Sequence, residues 1–455
     1  MTRWLRFALP SAIGFFMFLW PVSYAGRTSI PLDAATHVLG ELLGGAALPL
    51  LCAVCILSAL ATIGYSWFYL KAPAQDLAHG GRSGLLATVF VAPSLWILIR
   101  VVGGVGAACY LLQLGPEWLI ADAVAGTALK DVGIPVMRIY IISSLFLPFI
   151  TDYGLMELFG VLTRPFFQRV FHLPGRASLD AVASWVSSGP VAILITLRQF
   201  ESGYYTAREA VFISTNFHIV SVPFSLVVAD VSGIGAYYLP WYASLVIVGM
   251  TTALITRHLP PWTRIPPTYY GGAGLSDAAR SDKSRQIETI SGSAWGRALQ
   301  AGVEAAQKGR PPVALGLDMA RNMFSTVFGL ISACVGTVIL ANALLEYTRV
   351  FQWLSLPLVP LLGVAGLEPA AAPGFIIGFL DQFLTAVVSG RLSDLHTKFV
   401  LASLSVAQIV YMSNVGIMLL RSSIPIRFRD LVGIFVARTC ICTPLFFLAA
   451  RIVIS

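Results

Sequence analysis

Residues 184–209 read SWVSSGPVAILITLRQFESGYYTARE. Ser187-Ser188-Gly189-Pro190 interrupts an apolar segment, and Gln199, Glu201, Arg208 and Glu209 follow it. Proline removes a backbone donor and glycine admits dihedrals that other residues avoid, so a continuous helix is not expected here. What the break means depends on the solvent around it.

That solvent is lipid. Hydrophobic residues make up 57% of the 455, charged residues only 11%, and mean hydropathy is +0.79. Soluble domains carry about 25% charged residues. Several apolar runs exceed the roughly 18 residues of a spanning helix. The runs are Phe7–Ala25, Ala46–Leu70, Leu85–Leu112, Ile134–Ile150, Tyr237–Ile255, Val313–Leu345 and Leu431–Ile454. They do not alternate, which excludes a β-barrel. The expected class is an all-α, polytopic membrane protein, because a helix satisfies its own backbone in the bilayer.

The net charge of +8 does not point to nucleic acid, since the cations are read as lying between the apolar runs without interleaved aromatics. All six cysteines (Cys52, Cys55, Cys109, Cys334, Cys440 and Cys442) fall inside apolar runs. The Cys52/Cys55 CxxC has aliphatic flanks and no His or second pair nearby, so it reads as buried small hydrophobes rather than a metal or redox motif. Arg3 and Arg6 precede a run ending Ser23-Tyr24-Ala25, like a signal peptide. With so many spans after it, the run is expected to stay as the first helix.

Loop charges orient the chain. Arg3, Arg6, Lys71, Arg82, Arg164, Arg169 and Arg176 mark the cytoplasmic side, and the acidic loop of Glu117, Asp122 and Asp131 faces outward. Residues 257–312 are basic and rich in Pro, Gly and Ser, and read as a flexible cytoplasmic linker with one amphipathic helix around Ser293–Gln307. Four regions result: N-terminal helices (1–132), a first repeat (133–256), the linker (257–312) and a second repeat (313–455). Each repeat has a broken apolar segment, Leu179–Leu197 or Ala372–Val388, followed by a helix beginning near Thr206 or His396. The charges fit only if each broken segment enters and leaves on one side, as a re-entrant hairpin. The expected plan is two inverted-topology repeats, as in many secondary transporters.

A break at membrane depth is tolerated where protein buries it or a watery cavity borders it. Half-helix ends there offer free backbone groups to ions or polar solutes. The second break, Gly378-Phe379-Leu380-Asp381-Gln382, adds a carboxylate, costly by about 2.5–3.5 kcal/mol if it faced lipid. Ser214, His218, Ser221 and Ser225 recur as one face of a continuous helix, and Asp318, Asn322, Ser325 and Ser332 keep the same phase. Gln408 and Tyr411 form a shorter polar pair, with Ser413 and Asn414 beyond. Such stripes are helix–helix contacts or a pore lining. Thr206-Ala207-Arg208-Glu209 fits a capping box, and His218 fits packing as well as binding.

At these residues a family becomes visible. PGRASLDAVASWVSSGPVAILITLRQFESGYYTAREAVFISTNFHIVSVPF resembles the nucleoside-recognition or "Gate" domain of bacterial YjiH-type membrane proteins, and GFLDQFLTAVV with SVAQIVYMSNVGIMLLRSSIP looks like the companion YjiG-type half. The resemblance implies kinship with spore-maturation membrane proteins, the core of ferrous-iron transporters and concentrative nucleoside transporters. It also implies a multi-pass protein of the bacterial cytoplasmic (inner) membrane. Two positions depart from the pattern: Asn414 stands where a Glu is usual, and His218 where a Ser is usual.

The function expected is a secondary transporter or permease for a small polar solute of the nucleoside, amino-acid or dipeptide class, with proton or sodium coupling. Ser184, Ser187, Ser188 and Gln199 would contribute from one half. Asp381, Gln382, Gln408, Ser413 and Asn414 would contribute from the other, with Thr215, Asn216 and His218 lining the helix between. A homo-oligomer is compatible with this plan. The rival is a non-transporting scaffold or assembly factor, as the spore-maturation relatives permit. No HExxH, GxSxG or P-loop is present, so no catalytic residue, metal or cofactor is expected.

Overall fold

The computed structural model describes residues 3–24, 27–69, 86–87, 89–91, 94–186, 189–218, 221–270, 293–308, 312–412 and 415–454. We number its longer helices in chain order. The first are α1 (Arg3–Leu19), α2 (Pro31–Leu43), α3 (Ala47–Tyr69), α4 (Ser94–Leu112), α5 (Ile134–Phe146) and α6 (Leu155–Val170). Then come α7 (Ala177–Val186), α8 (Gly189–Glu201), α9 (Ala207–Asn216), α10 (Val222–Val231), α11 (Tyr238–Thr256) and α12 (Ala294–Lys308). The last are α13 (Pro312–Thr326), α14 (Ser332–Tyr347), α15 (Ala372–Ile377), α16 (Gln382–Gly390), α17 (Leu395–Ala407), α18 (Val415–Arg421) and α19 (Phe428–Val453). The described strands, Val22–Tyr24 and Arg27–Ser29, pair antiparallel with Val22 opposite Ser29. Among the described residues, six helical stretches are long and apolar enough to cross a membrane: Pro31–Trp67, Ser94–Leu112, Glu117–Thr151, Gly235–Thr256, Leu315–Tyr347 and Phe428–Val453.

The chain forms two compact units. One comprises Pro31–Phe146 and Pro311–Leu354. Its helices α3, α4 and α14 pack together, and small residues let the backbones approach. A Cβ on Gly103 would overlap the Ser332 carbonyl, and one on Gly336 the Ile99 carbonyl. Ser332 Oγ donates to the carbonyls of Arg100 (3.1 Å) and Cys55 (3.4 Å). Cys52 and Cys55 are fully buried and unbridged, the hydrophobic role expected of them. A π-helical turn at Val327–Ile331 leaves carbonyls for side chains. Ser58 Oγ donates to Phe328 O (2.6 Å) and Arg100 Nη2 to Gly329 O (2.7 Å).

The other unit comprises residues 1–30, 147–310 and 355–455. Its core buries Phe167, Phe171, Phe212, Phe217, Trp262 and Phe435 among others. Within it α7–α11 and α15–α19 make matching contacts. α7 packs on α8 as α15 packs on α16, α9 on α11 as α17 on α19, and α8 meets α18 as α16 meets α10. These pairings match when the two sets are exchanged, whereas the contacts of α10 with α11 and α17, and of α11 with α17, have no counterpart of similar extent.

Three expectations need correction. The run from Phe7 ends as helix at Leu19 and turns into the strand pair. At 17 residues α1 is about 25 Å long, short of the roughly 30 Å hydrocarbon layer. The helix from Thr206 is not continuous: α9 stops at Asn216 and α10 starts at Val222, with Pro223 in its first turn. Ser214, His218, Ser221 and Ser225 therefore do not share one helix face. The helix from His396 is likewise divided into α17 and α18. The amphipathic helix of the linker is present as α12, packed on α6 and α1. Residues 257–270 are docked too. Trp262 is buried, and the start of α9 holds the strap through Ala207 N to Thr268 O (2.8 Å) and Arg208 Nε to Ile265 O (2.8 Å).

Candidate functional site

Four junctions in the second unit join helix to helix: α7 to α8, at residues 187–188, which lie outside the described residues, and the breaks between α9 and α10, α15 and α16, and α17 and α18. At the third, α15 is extended by one turn through Leu380 N to Ile377 O (2.9 Å) and Asp381 N to Ile377 O (3.2 Å). Asp381 then caps α16, its Oδ1 accepting from Phe383 N at 2.7 Å. The carboxylate thus faces the positive end of a helix dipole. Gln382 opens α16 and is half-buried.

The fourth break meets the third. Met412 N donates to Phe379 O at 2.8 Å. Between Ala407 and Tyr411 there is neither glycine nor proline, yet Ile409 stands at φ +61°. A β-branched residue there is strained by about 1–3 kcal/mol, and surrounding bonds must hold it. Val410 N donates to Gln408 O (2.7 Å), and Tyr411 OH turns back onto the carbonyls of Ser405 (2.7 Å) and Val406 (2.8 Å). Gln408, fully buried, sends Nε2 to Phe375 O and to Thr439 Oγ1, both at 3.0 Å.

Arg438, in the middle of α19, joins two of the breaks. Its Nε donates to Ala407 O, the last residue of α17, at 2.8 Å; Nη1 donates to Asn216 Oδ1, the last residue of α9, at 2.7 Å. Asn216 also accepts from Thr256 Oγ1 (2.8 Å) and donates to Phe212 O (3.1 Å). Arg438 is fully buried, and among the described residues no carboxylate forms an ion pair with it. An arginine at mid-helix is unfavourable by about 2.5–3.5 kcal/mol on insertion scales, so it faces the protein interior and its partners.

Arg438 was absent from the residues expected to bind. Counting cations only between apolar runs overlooks Arg100, Arg138 and Arg438, all of which lie inside runs. A cation within such a run was the available signal. Asp180 was also overlooked. It is buried in the first turn of α7, its Oδ2 accepting from Tyr205 OH (2.9 Å) and Thr196 Oγ1 (3.3 Å).

The other expected residues are distributed as follows. Ser187, Ser188, Ser413 and Asn414 lie outside the described residues, as does the side chain of Ser184. Gln199 accepts from Arg176 Nη1 at 3.2 Å, near the far end of α8 and about 15 Å along the helix from its start. Thr215 donates to Val211 O (2.7 Å) and accepts from Trp262 Nε1 (2.8 Å), a structural arrangement. His218 places Nδ1 3.1 Å from Ile213 O, on the exposed carbonyls of α9. Asn216 and Gln408 converge on adjacent residues of α19, Arg438 and Thr439.

Glu209 completes a capping box: Thr206 N donates to Glu209 Oε2 (2.7 Å), and Glu209 N to Thr206 Oγ1 (3.2 Å). A glutamine makes the same reciprocal bond. Glu209→Gln is therefore expected to shift the melting temperature by less than about 2 °C, consistent with a surface change of under about 0.5 kcal/mol. A larger drop in a purified-protein melt would assign the charge a further role.

This is a multi-pass helical membrane protein with helix breaks buried inside one unit. The chain belongs to the Gate family, described as nucleoside recognition, whose profile matches residues 134–235. It is 35% identical over 457 residues to an uncharacterized protein of Alkalihalophilus pseudofirmus, an alignment covering 99% of this chain and 95% of the relative. No solved structure matches.

Proposed function

We propose that the protein is a secondary transporter or permease of the bacterial cytoplasmic membrane, moving a small polar solute bound among the helix breaks. The observation that carries this reading is the set of matching pairings within α7–α11 and α15–α19, with the breaks joined by Met412–Phe379 and by Arg438. The pattern supports two repeats related by a pseudo-two-fold. The basic residues bracketing them support an inverted pair with re-entrant hairpins at α7–α8 and α15–α16. Alternating access would rock one group of helices against the other around the breaks. Backbone freed from helical bonding then supplies groups to the solute while staying buried in protein.

The test is uptake into proteoliposomes of labelled nucleosides, amino acids and dipeptides, with and without an imposed proton or sodium gradient. Accumulation of at least one class above empty vesicles is expected; none, in either gradient, would remove the transporter reading. Asp381→Asn sharpens it. Asparagine caps a helix about as well as aspartate, so the fold should persist. If the charge serves coupling to a cation or proton, uptake should fall at least tenfold or lose its pH dependence. Unchanged uptake from pH 5 to 8 would leave Asp381 as a cap alone.

A further inference from the structure

Arg438 holds more donors than its partners use. Nε and Nη1 are bonded to Ala407 O and Asn216 Oδ1, whereas Nη2 is buried without a partner among the described residues. Arg100, the other buried arginine among the described residues, differs in this respect. Both of its terminal nitrogens are bonded, Nη1 to Val89 O and Thr62 Oγ1 and Nη2 to Gly329 O, and only Nε is left over. Ser214, in the last turn of α9, also has a buried, unpartnered Oγ.

A purely structural role accounts for part of this. The C-termini of α9 and α17 converge on Arg438, and each helix end carries about half a negative charge, so two bonds and much of the charge are explained. The free NH2 group is not. A guanidinium with an open terminal nitrogen in a water-poor interior is suited to a planar oxyanion, which its fork meets through two parallel bonds. With much of the guanidinium charge already offset by the two helix ends, a singly charged carboxylate is favoured over a phosphate dianion.

We propose that the solute carries a single carboxylate and that Arg438, poised where α9 and α17 end, is its counter-ion. Asn216 and Ala407 O aim the guanidinium, so that Nη2 faces the solute. Both ends of the repeat pair then sense occupancy through one side chain. This proposal rests on the transporter reading for its physiological sense, but binding can be measured without transport.

The experiment uses the full-length protein in detergent, with thermal melting and microcalorimetry against matched pairs: lactate and lactamide, nicotinate and nicotinamide, N-acetylglycine and N-acetylglycinamide, with inorganic phosphate alongside. At least one carboxylate is expected to raise the melting temperature while its amide does not. Arg438→Lys should weaken that carboxylate at least tenfold, because a point charge lacks the fork. Asn216→Asp, which sets a fixed carboxylate on the guanidinium, should fold and lose binding even if Arg438→Lys proves unstable. Equal response to acid and amide, response to phosphate alone, or no response across the panel would overturn the proposal. So would carboxylate binding unchanged in both variants. Carboxylate binding without flux in vesicles would sink the transporter reading and keep this one. Flux of neutral solutes with no carboxylate binding would do the reverse.

Discussion

Gly336→Leu is expected to leave no folded protein, with no monodisperse peak in size-exclusion chromatography of a detergent extract. Gly336 sits in α14 where α4 comes closest: its Cβ would overlap the Ile99 carbonyl oxygen and lie 2.9 Å from Gly103 N. The reciprocal Cβ on Gly103 would overlap Ser332 O and lie 3.0 Å from Gly336 N. Every obstructing atom is backbone, so no rotamer change relieves the overlap. Overpacking a core is typically destabilising by about 1–3 kcal/mol when side chains can yield; here the helices themselves must part. Between helices in lipid there is no hydrophobic force to restore the contact, because lipid tails are as apolar as leucine. Parting also stretches the Ser332 bonds to Arg100 O and Cys55 O. Gly64→Leu in α3 is the control, since a Cβ there meets nothing within 4 Å. If Gly336→Leu elutes and melts like the control, the close approach of α4 and α14 is not what holds this unit.

The sequence revealed the breaks that carry their own punctuation. Gly378–Gln382 announces itself by a glycine that weakens a helix and a carboxylate that caps one, whereas residues 187–188 of Ser187-Ser188-Gly189-Pro190 lie outside the described residues. The cap at Thr206–Glu209 is local, four residues acting on one another, and was equally readable. The break at residues 217–221 was obscured because serines and His218 happened to keep helical phase across it, although Pro223 was in plain view. The break after Ala407 carries no such residue at its start. Tyr411 OH folds back on the α17 carbonyls, and Arg438 caps Ala407 from a helix that comes later in the chain. Tertiary contacts impose that conformation, including the left-handed Ile409, and single-residue preferences do not report it. Arg438 and Asn216 are separated by 222 positions. Their pairing depends on how α19 packs, while the value of a buried cation depends on which acceptors remain around it. Composition and periodicity reach neither.

The second large effect is expected from a single methyl group at the break between α15 and α16. A Cβ on Gly378 would overlap Gln408 Oε1, come within 2.7 Å of Thr385 Oγ1 and lie 3.1 Å from Gln408 Cδ. Gln408 is the end of a flexible side chain, but it is not free to move. Its Nε2 is bonded to Phe375 O and Thr439 Oγ1, and Thr385 Oγ1 to Gly374 O. Yielding leaves buried polar groups unpaired at about 1–3 kcal/mol each. Not yielding pushes the break away from residues 408–412 and stretches the bond from Met412 N to Phe379 O. Gly378→Ala should therefore lower the melting temperature by several degrees and reduce uptake at least tenfold. Gln408→Ala should also destabilise, by emptying a buried site and leaving Phe375 O without that donor. Combined, the two should not add: removing the amide clears the space the methyl needs, so the double variant should melt close to Gln408→Ala alone. Contacting residues typically couple by about 0.5–3 kcal/mol in such cycles. Simple additivity, or a Gly378→Ala protein that melts and transports like the parent, would show that the two breaks are not packed against each other through Gln408.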